Sequence, residues 1–392
     1  MKAAVTIARV IVGILFIFSG LVKANDPLGL SYKMQEFFDL WGMSQFNSWT
    51  LTMSVIMNAF EIIAGFALLL GWRIKLFSWL LLLLIIFFTF LTGYAFLSGK
   101  FKNCGCFGDC LLITAKTSFL KDILLLALIS FLFWQREKIK PLFSNRTNTI
   151  AMLGITILSF ALQWYTLNYM PLADCLPFKK GNNIGEKMKI PVGALPDSFA
   201  IVFVYEKGGK EFEFSALELP ADLDTYKFVS RKDKLIRKGN AEPPIKGFAL
   251  SGVSDIDSTQ IVLAHPYAVL LFCEDFSIPV SKWEKDFAAL YSEAKTKNIP
   301  AYLVTTQPAK AVEEIKSTSF AGIQVFKCDY TAIRTAARTN PAILLLQKGS
   351  IINKESYKRM KNVLDVLKKL PAQQTVVPVL QEPLPSDTTN NN

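Results

Sequence analysis

Long apolar runs fill the first part of the chain, and shorter alternating runs fill the rest. Up to about residue 170, five segments of roughly 18 to 22 residues are almost wholly apolar, which is the length needed to cross the hydrocarbon core of a bilayer. These segments are residues 3–22, 51–72, 76–97, 118–134 and 149–170. Beyond residue 170 the composition resembles that of an ordinary globular protein. The pattern therefore predicts an α-helical membrane bundle followed by a soluble half.

Lysine and arginine residues near the segment ends indicate how the bundle is oriented. The loop after the second segment carries Arg73 and Lys75, and the loop after the fourth, residues 135–148, is strongly basic. Such loops stay on the cytoplasmic side of a membrane. With the N-terminus on that side, five spans place residues 98–117 and the chain after about residue 171 outside. In a bacterium this compartment is the periplasm, where disulfides persist.

Three ionisable residues lie in or beside the apolar segments. Glu61 is near the middle of the second segment, where a charge is costly and indicates function unless the group is neutral. Lys23 and Asp26 follow the first segment and would approach it if that helix extended further. A protonated Glu61 that forms a hydrogen bond between helices is the alternative. Residues 31–43 have apolar positions near helical spacing and predict an amphipathic helix on the outer surface.

Composition and charge narrow the chemistry that is available. The chain is 51% hydrophobic with a net charge of +11, and much of its basic excess flanks apolar segments, so no nucleic-acid partner is needed to explain it. Its one histidine, His265, excludes multi-histidine metal centres. The chemistry must therefore use thiols, carboxylates, amines or a bound cofactor.

Residues 266–370 alternate between strand and helix patterns, which predicts an α/β domain with a parallel core. The order of elements, ending in a hairpin and a helix, resembles the thioredoxin fold, in which Pro341 would be the cis proline beside the redox site. The junction CEDFSIPV departs from that family because it contains Cys273 alone and no CxxC pair. We therefore expect a domain that binds a peptide or partner beside Pro341 and Cys273 without dithiol exchange. Buried free thiols are favoured over a disulfide between Cys273 and Cys328.

The other segments complete the predicted domain organisation. The predicted units are a four-helix membrane domain at 1–140, a fifth transmembrane helix at 149–170, a Gly/Pro/Lys-rich linker at 171–197, a small β-rich module at 198–265, the thioredoxin-like domain at 266–370 and a disordered tail at 371–392.

Three of the six cysteines lie within KNCGCFGDC, residues 102–110. Glycines in this loop allow sharp turns, so Cys104, Cys106 and Cys110 can exchange partners by short movements. Cys175 follows the fifth segment on the same predicted side and is a candidate resolving thiol. A zinc site is disfavoured because no second ligand pair exists. A structural disulfide, for instance from Cys104 or Cys106 to Cys110, is the alternative, and the sequence does not select one pairing.

Residues 13–29, 58–72 and 102–110 resemble the DoxX/MauE-like family of small four-helix membrane proteins. The resemblance covers about residues 1–140, and the extra span and C-terminal domain are similar to the longer forms found in Bacteroidetes. Members of this broad family are associated with sulfur or thiol redox chemistry. The resemblance therefore implies a redox role for Cys104 and Cys106 and implies no particular substrate.

Two functional hypotheses follow. The first is a bacterial inner-membrane thiol–disulfide relay in the bundle, with a non-catalytic thioredoxin-like domain that delivers a periplasmic client or complex subunit. Electrons would pass to a lipid quinone or a membrane partner, although no residue demands a quinone. The second is a non-enzymatic scaffold or chaperone subunit with a structural disulfide in the cysteine loop. Membrane lipids contact the bundle in both. A transporter is disfavoured because more buried charge than Glu61 and an internal repeat would be expected.

Overall fold

The structure is a computed structural model of the full chain. It describes residues 2–99, 108, 110, 111, 113–196, 198–215, 218–220, 222–237, 239, 241–252 and 256–373. Cys104, Cys106 and the predicted disordered tail beyond residue 373 lie outside the described residues.

Six helices make up the described part of the membrane half. They are α1 (Lys2–Asn25), α2 (Pro27–Leu40), α3 (Thr50–Leu70), α4 (Ile74–Ser98), α5 (Ala115–Trp134) and α6 (Asn145–Tyr169). All except α2 are long and apolar enough to cross a membrane, so the five predicted spans are confirmed. The helix α2 begins four residues before the predicted amphipathic segment, because Asp26 caps it by accepting a hydrogen bond from the Gly29 backbone nitrogen.

Helices α1 and α3 pack closely through glycines. A Cβ atom on Gly65 would lie 2.8 Å from the carbonyl oxygen of Gly13, and one on Gly20 would lie 2.7 Å from a side-chain carbon of Ile62. Small residues at a helix crossing let two backbones approach each other within a membrane. This crossing brings the last turn of α1 next to the middle of α3.

The first soluble elements are a short helix α7 (Ile184–Lys187) and three antiparallel strands. The strands are β1 (Ser198–Lys207), β2 (Lys210–Ser215) and β3 (Lys227–Arg237), in the order β2-β1-β3. The strand β1 meets β2 through a tight turn at Gly208 and Gly209, both with positive φ angles. The two strands therefore form a hairpin around the KGG sequence, residues 207–209.

The remaining elements form the thioredoxin-like domain. They are α8 (Thr259–Ala264), β4 (Ala268–Cys273), α9 (Glu284–Thr296), β5 (Ala301–Thr305), α10 (Pro308–Ile315), β6 (Gln324–Lys327), α11 (Tyr330–Ala336), β7 (Ala342–Gln347), β8 (Ser350–Ser356) and α12 (Met360–Lys369). The sheet order is β6-β5-β4-β7-β8, with β4, β5 and β6 parallel and β7 and β8 antiparallel. This topology confirms the predicted fold, extended by the edge strand β6.

The central strand β4 is buried on both faces. Val269, Leu271 and Cys273 face the layer formed by α9 and α12, while the intervening side chains face the opposite layer. That opposite layer includes Phe178, from the segment predicted as a linker, and Phe248, from the segment assigned to the β-rich module. Both segments contribute buried aromatic side chains to the thioredoxin-like core, which connects that core directly to the end of α6.

Candidate functional site

A disulfide between Cys110 and Cys175 lies at the end of the bundle that faces the thioredoxin-like domain. We call this end the domain-facing rim; it consists of residues 22–27 and 170–175. The two cysteine Cα atoms are 4.9 Å apart, and the disulfide lines a small cavity with Val22 and Asn25. The structure thus brings the candidate resolving thiol, Cys175, to one member of the cysteine cluster.

The side chain of Asn25 fixes the segment that carries Cys175. Its Nδ2 donates to the carbonyl oxygen of Ala173 at 2.8 Å, and its Oδ1 accepts from the Ala173 backbone nitrogen at 3.0 Å. The paired bonds hold the start of the soluble half against the end of α1. The disulfide is therefore attached to two elements, the loop between α4 and α5 and the connector after α6.

Two ion pairs link the domain-facing rim to the thioredoxin-like domain. Nε of Arg338 donates to Oδ2 of Asp26 at 2.8 Å, and Nζ of Lys354 donates to Oδ2 of Asp174 at 2.7 Å. Both cationic side chains are 5% exposed. Burial lowers the pKa of Lys354, and Asp174 opposes that change. Breaking either pair would leave a buried cation without its carboxylate, so the contacts favour one fixed arrangement of the two halves.

The amphipathic helix α2 forms the other part of this junction. Arg334 donates to Oε1 of Glu274 at 2.7 Å and to Oε1 of Gln35 at 2.7 Å, and its guanidinium carbon lies 4.3 Å from the centre of the Tyr32 ring. Burial, and then the charge of Glu274, raise the pKa of Tyr32. Because Glu274 directly follows Cys273, the helix α2 lies over the place where a working thioredoxin carries its cysteine pair.

The peptide bond between Asn340 and Pro341 is cis, as the resemblance to the thioredoxin fold implies. Pro341 itself is buried. The side chain of Asn340 bonds to the loop after β4: its Nδ2 donates to the Asp275 carbonyl oxygen at 3.0 Å, and its Oδ1 accepts from the Glu274 backbone nitrogen at 3.1 Å. The cis-proline loop and the loop after Cys273 therefore form one connected surface.

The two thiols of the thioredoxin-like domain are buried and free, as predicted. Cys273 is fully buried, donates to the Asp275 carbonyl oxygen at 3.0 Å, and has its pKa raised by burial. Burial raises the pKa of Cys328 to about 12. The two residues face opposite layers of the sheet. A thiol that stays protonated near neutral pH is a poor nucleophile, so neither residue suits exchange.

Glu61 and Lys23 form an ion pair inside the bundle, 1% and 3% exposed respectively. Lys23 Nζ also lies 5.1 Å from the centre of the Phe88 ring. Glu61 thus bonds between helices, and its partner is the lysine that follows the first apolar segment. The second carboxylate oxygen of Glu61, Oε2, is buried without a hydrogen-bond partner among the described residues.

A second charged pair, which sequence analysis missed, lies on α5. Lys121 Nζ is 2.7 Å from Oδ1 of Asp122, and Oδ2 of Asp122 accepts a hydrogen bond from Thr92 at 3.0 Å. The available signal was the Lys-Asp dipeptide within the fourth apolar segment. Among the described residues, no three His, Cys, Asp or Glu side chains are grouped so that they could hold a metal ion.

Comparison with known proteins supports the division into two halves. Residues 1–135 match the family model of methylamine utilisation protein MauE, and residues 199–238 match a domain of unknown function, DUF8463. A search of curated proteins found no significant match.

Among solved structures, the chain is similar to the Xanthomonas campestris bacterioferritin comigratory protein, with 19% identity, coverage of 31% of this chain and 89% of that one, and a TM-score of 0.24. It is also similar to yeast Sco1 with copper bound, with 14% identity, coverage of 33% and 96%, and a TM-score of 0.25. The thioredoxin-like fold follows from the strand order β6-β5-β4-β7-β8. The chain consists of a MauE-like membrane region followed by a thioredoxin-like domain.

Proposed function

We propose that the protein is a thiol–disulfide relay of a bacterial inner membrane. The cysteine loop of the bundle exchanges disulfides, and the thioredoxin-like domain binds the client or partner without taking part in the exchange. The observation that carries this proposal is the Cys110–Cys175 disulfide at the domain-facing rim. It joins the cysteine loop to the segment that leads into the thioredoxin-like domain.

The exchange uses the cysteines of the membrane half. The thiolate of Cys104 or Cys106 attacks Cys110, forms a bond to it and releases Cys175 as a thiolate. The other of Cys104 and Cys106 then attacks this new bond, closes a Cys104–Cys106 disulfide and releases Cys110 as a thiolate. Two electrons and two protons move from one cysteine pair to the other, so the step is balanced. Support comes from the buried, protonated state of Cys273 and Cys328, which leaves the membrane half as the place for thiol chemistry.

The proposed partner-binding role of Pro341 and Cys273 is indirect, because both residues are buried. They shape the surface that Asn340 and Glu274 form, and a client would bind at that surface in place of α2, which Arg334 links to Glu274. Arg334, which contacts both Glu274 and Gln35, connects this surface with the membrane half. A client held there is close to the domain-facing rim.

The proposed location of the rim is the periplasm, with the N-terminus in the cytoplasm. A disulfide needs both cysteines in one oxidising compartment, which agrees with the orientation that the basic loops predict. The relation to DoxX proteins and to long forms from Bacteroidetes is part of the same proposal. Protease treatment of intact spheroplasts should remove the thioredoxin-like domain, and its protection would contradict the orientation.

Trapping of mixed disulfides tests the relay. Single Cys104→Ser, Cys106→Ser, Cys110→Ser and Cys175→Ser variants would be expressed in native membranes, quenched with acid and alkylated. At least one variant is expected to accumulate a covalent, reductant-sensitive adduct with a thiol-containing protein. Cys273→Ser and Cys328→Ser are matched controls and should trap nothing. Absence of any adduct, together with client thiols that stay oxidised without the protein, would reject the relay.

A non-enzymatic scaffold is the second candidate. The observation that favours it is the same disulfide, which braces the rim beside the ion pairs of Asp26 and Asp174. In a scaffold, Cys110 and Cys175 would stay fully oxidised in the Cys104→Ser and Cys106→Ser variants, and reduction would loosen the junction without changing the oxidation state of any client.

A further inference from the structure

A cavity of about 460 Å³ lies in the membrane half, at the same end as the domain-facing rim. Helices α1 to α4 line it together with Lys121 of α5, and its walls are mainly aromatic rings and methionines. Its principal lining residues are Phe37, Trp41, Met57, Phe60, Phe87 and Phe88. This volume is in the range of binding sites for small organic ligands. Flat ring faces and flexible thioether groups suit a planar, apolar ligand.

We propose that this cavity binds the ring of a lipid-soluble quinone. The inference rests on the proposed function only for the source of the electrons; the binding site itself is argued from the cavity. In the redox step, two thiols become one disulfide, and the two electrons and two protons that they lose reduce the two quinone carbonyls to hydroxyls. The quinone is the oxidant, and the hydroquinone then leaves into the bilayer.

The charges at the cavity favour a neutral carbonyl ligand over an anionic lipid. Three lysines line it, and each already has a carboxylate partner: Lys23 pairs with Glu61, Lys33 with Glu36 and Lys121 with Asp122. The site therefore carries little net positive charge to attract a phosphate. Ammonium groups that are paired in this way can still donate hydrogen bonds to carbonyl oxygens.

A second, smaller cavity supports this choice of ligand. Its volume is about 20 Å³, enough for one water molecule, and it shares Ser19, Phe88 and Lys121 with the large cavity. Glu61 lines it, and the buried Oε2 of Glu61 has no hydrogen-bond partner among the described residues. A water bound there would connect this carboxylate with the polar end of the large cavity.

The cavity is also close to the thiols that would supply the electrons. Lys23 lines the large cavity, while its neighbour Val22 lines the cavity beside the Cys110–Cys175 disulfide. Consecutive residues on a helix rise about 1.5 Å along its axis, so the two cavities adjoin the same turn of α1. The ring site and the disulfide are therefore neighbours across the last turn of α1.

Quinone binding can be measured without thiol chemistry. The full-length protein would be placed in phosphatidylcholine nanodiscs and titrated with decylubiquinone and with menaquinone-4, with binding followed by separation of the loaded discs and chromatography of the extracted quinone. Saturable binding is expected for at least one of the two quinones. The variant Met57→Trp, which fills the cavity, should weaken binding by about tenfold or more. The matched variant Leu83→Trp is on the same bundle, exposed and outside the cavity, and should bind normally.

The outcomes separate this inference from the relay. Binding that does not saturate, or that Met57→Trp leaves unchanged, would overturn the quinone site. Retention of a phospholipid in the purified protein that neither quinone displaces would also overturn it. The variant Cys104→Ser/Cys106→Ser should bind quinone normally, because none of the described residues that line the site is a cysteine. If mixed disulfides form and no quinone binds, the relay stands with another acceptor; if quinone binds and no adduct forms, the site stands without the relay.

Discussion

The carboxylate of Asp26, directly after the first membrane helix, accepts a 2.8 Å hydrogen bond from Arg338, three residues before the cis proline. The two residues are 312 positions apart in the chain. Arg338 is 5% exposed and also donates to the carbonyl oxygen of Arg334 at 2.7 Å. One guanidinium thus connects the cap of α2 with the end of α11, and the geometry of the cis-proline loop depends on the membrane half.

The variant Asp26→Asn should loosen this junction. Asparagine keeps the capping oxygen of α2 but removes the charge that compensates Arg338, and loss of one partner of a buried pair costs about 3–5 kcal/mol. Amide hydrogen exchange of residues 334–341 is expected to become faster. The matched control is Asp222→Asn, which removes one partner of the exposed Lys207–Asp222 pair and should leave exchange at 334–341 unchanged. Equal exchange in Asp26→Asn and the wild type would contradict the link.

The variant Lys23→Met should destabilise the bundle. It leaves Glu61 buried without its cation, with an expected cost of about 3–5 kcal/mol. The double variant Lys23→Met/Glu61→Leu should recover much of the loss, because both charges are then absent. The unfolding temperatures of the wild type, Lys23→Met and the double variant in detergent test this. Lys33→Met is the control, because its pair with Glu36 is more exposed. A double variant as unstable as Lys23→Met would show that the pair is not the cause.

The thioredoxin-like domain should lose stability in alkali. The pKa values of Cys273 and Cys328 are raised by burial, so above about pH 8.5 the thiols of the unfolded state lose protons while those of the folded state keep them. The free energy of unfolding then falls by about 1.4 kcal/mol per pH unit for each thiol. Below pH 8.5 both states are protonated and no change is expected from these groups.

Urea unfolding between pH 7 and pH 10 tests this dependence. Replacement of Cys328 by alanine should remove the contribution of one thiol to the slope of the unfolding free energy against pH. The double variant Cys273→Ala/Cys328→Ala should remove both contributions. Lysines and tyrosines titrate in the same range, so the difference between variant and wild type is the quantity to compare. Parallel profiles for all three proteins would contradict the burial argument.

The variant Cys175→Ser should reduce stability through the unfolded state. The disulfide closes a loop with a sequence separation of 65 residues, and a crosslink of that span contributes at most about 4 kcal/mol to the free energy of unfolding. The contribution is an upper value because α5 and α6 stay inserted in the membrane in the unfolded state and already restrict the loop. We expect a lower unfolding temperature for the Cys175→Ser and Cys110→Ser variants, with no further loss in the double variant. Unequal effects of the two single variants would indicate a role beyond the shared bond.

Hydropathy was sufficient to predict the spans. The ends of several elements depend on individual polar contacts, which hydropathy does not describe. The helix α1 continues through Lys23 to Asn25, beyond the predicted end at residue 22, and so places that lysine opposite Glu61. Helical periodicity predicts a helix over 330–339, yet α11 ends at Ala336. The residue before a proline avoids the helical region, so a helix cannot continue to Pro341. Arg338 and Thr339 instead contact Asp26 and Met170 of the membrane half.

The candidate site was less predictable, because its contacts join distant parts of the chain. The predicted topology made Cys175 a candidate partner of the cysteine loop, but the sequence did not select Cys110 over Cys104 or Cys106. Nothing around Asp26 indicates Arg338 as its partner. In the sequence, the residues that line the apolar cavity do not differ from the other apolar residues of their helices. Only the crossing of α1 and α3 and the position of α2 bring them together. The Lys121–Asp122 dipeptide was the one local signal that sequence analysis passed over.

The position of α2 over the loop after Cys273 has a consequence for recognition. Tyr32 and Gln35 contact Arg334 there, so a segment of the same chain already covers the surface at which an extended client would bind. A tethered segment competes at an effective concentration in the millimolar range, about 1 mM or more for a short connection. A free peptide must therefore either bind much more tightly than α2 or approach as part of a protein that also engages the membrane. We therefore expect clients of this domain to bind at the bilayer surface.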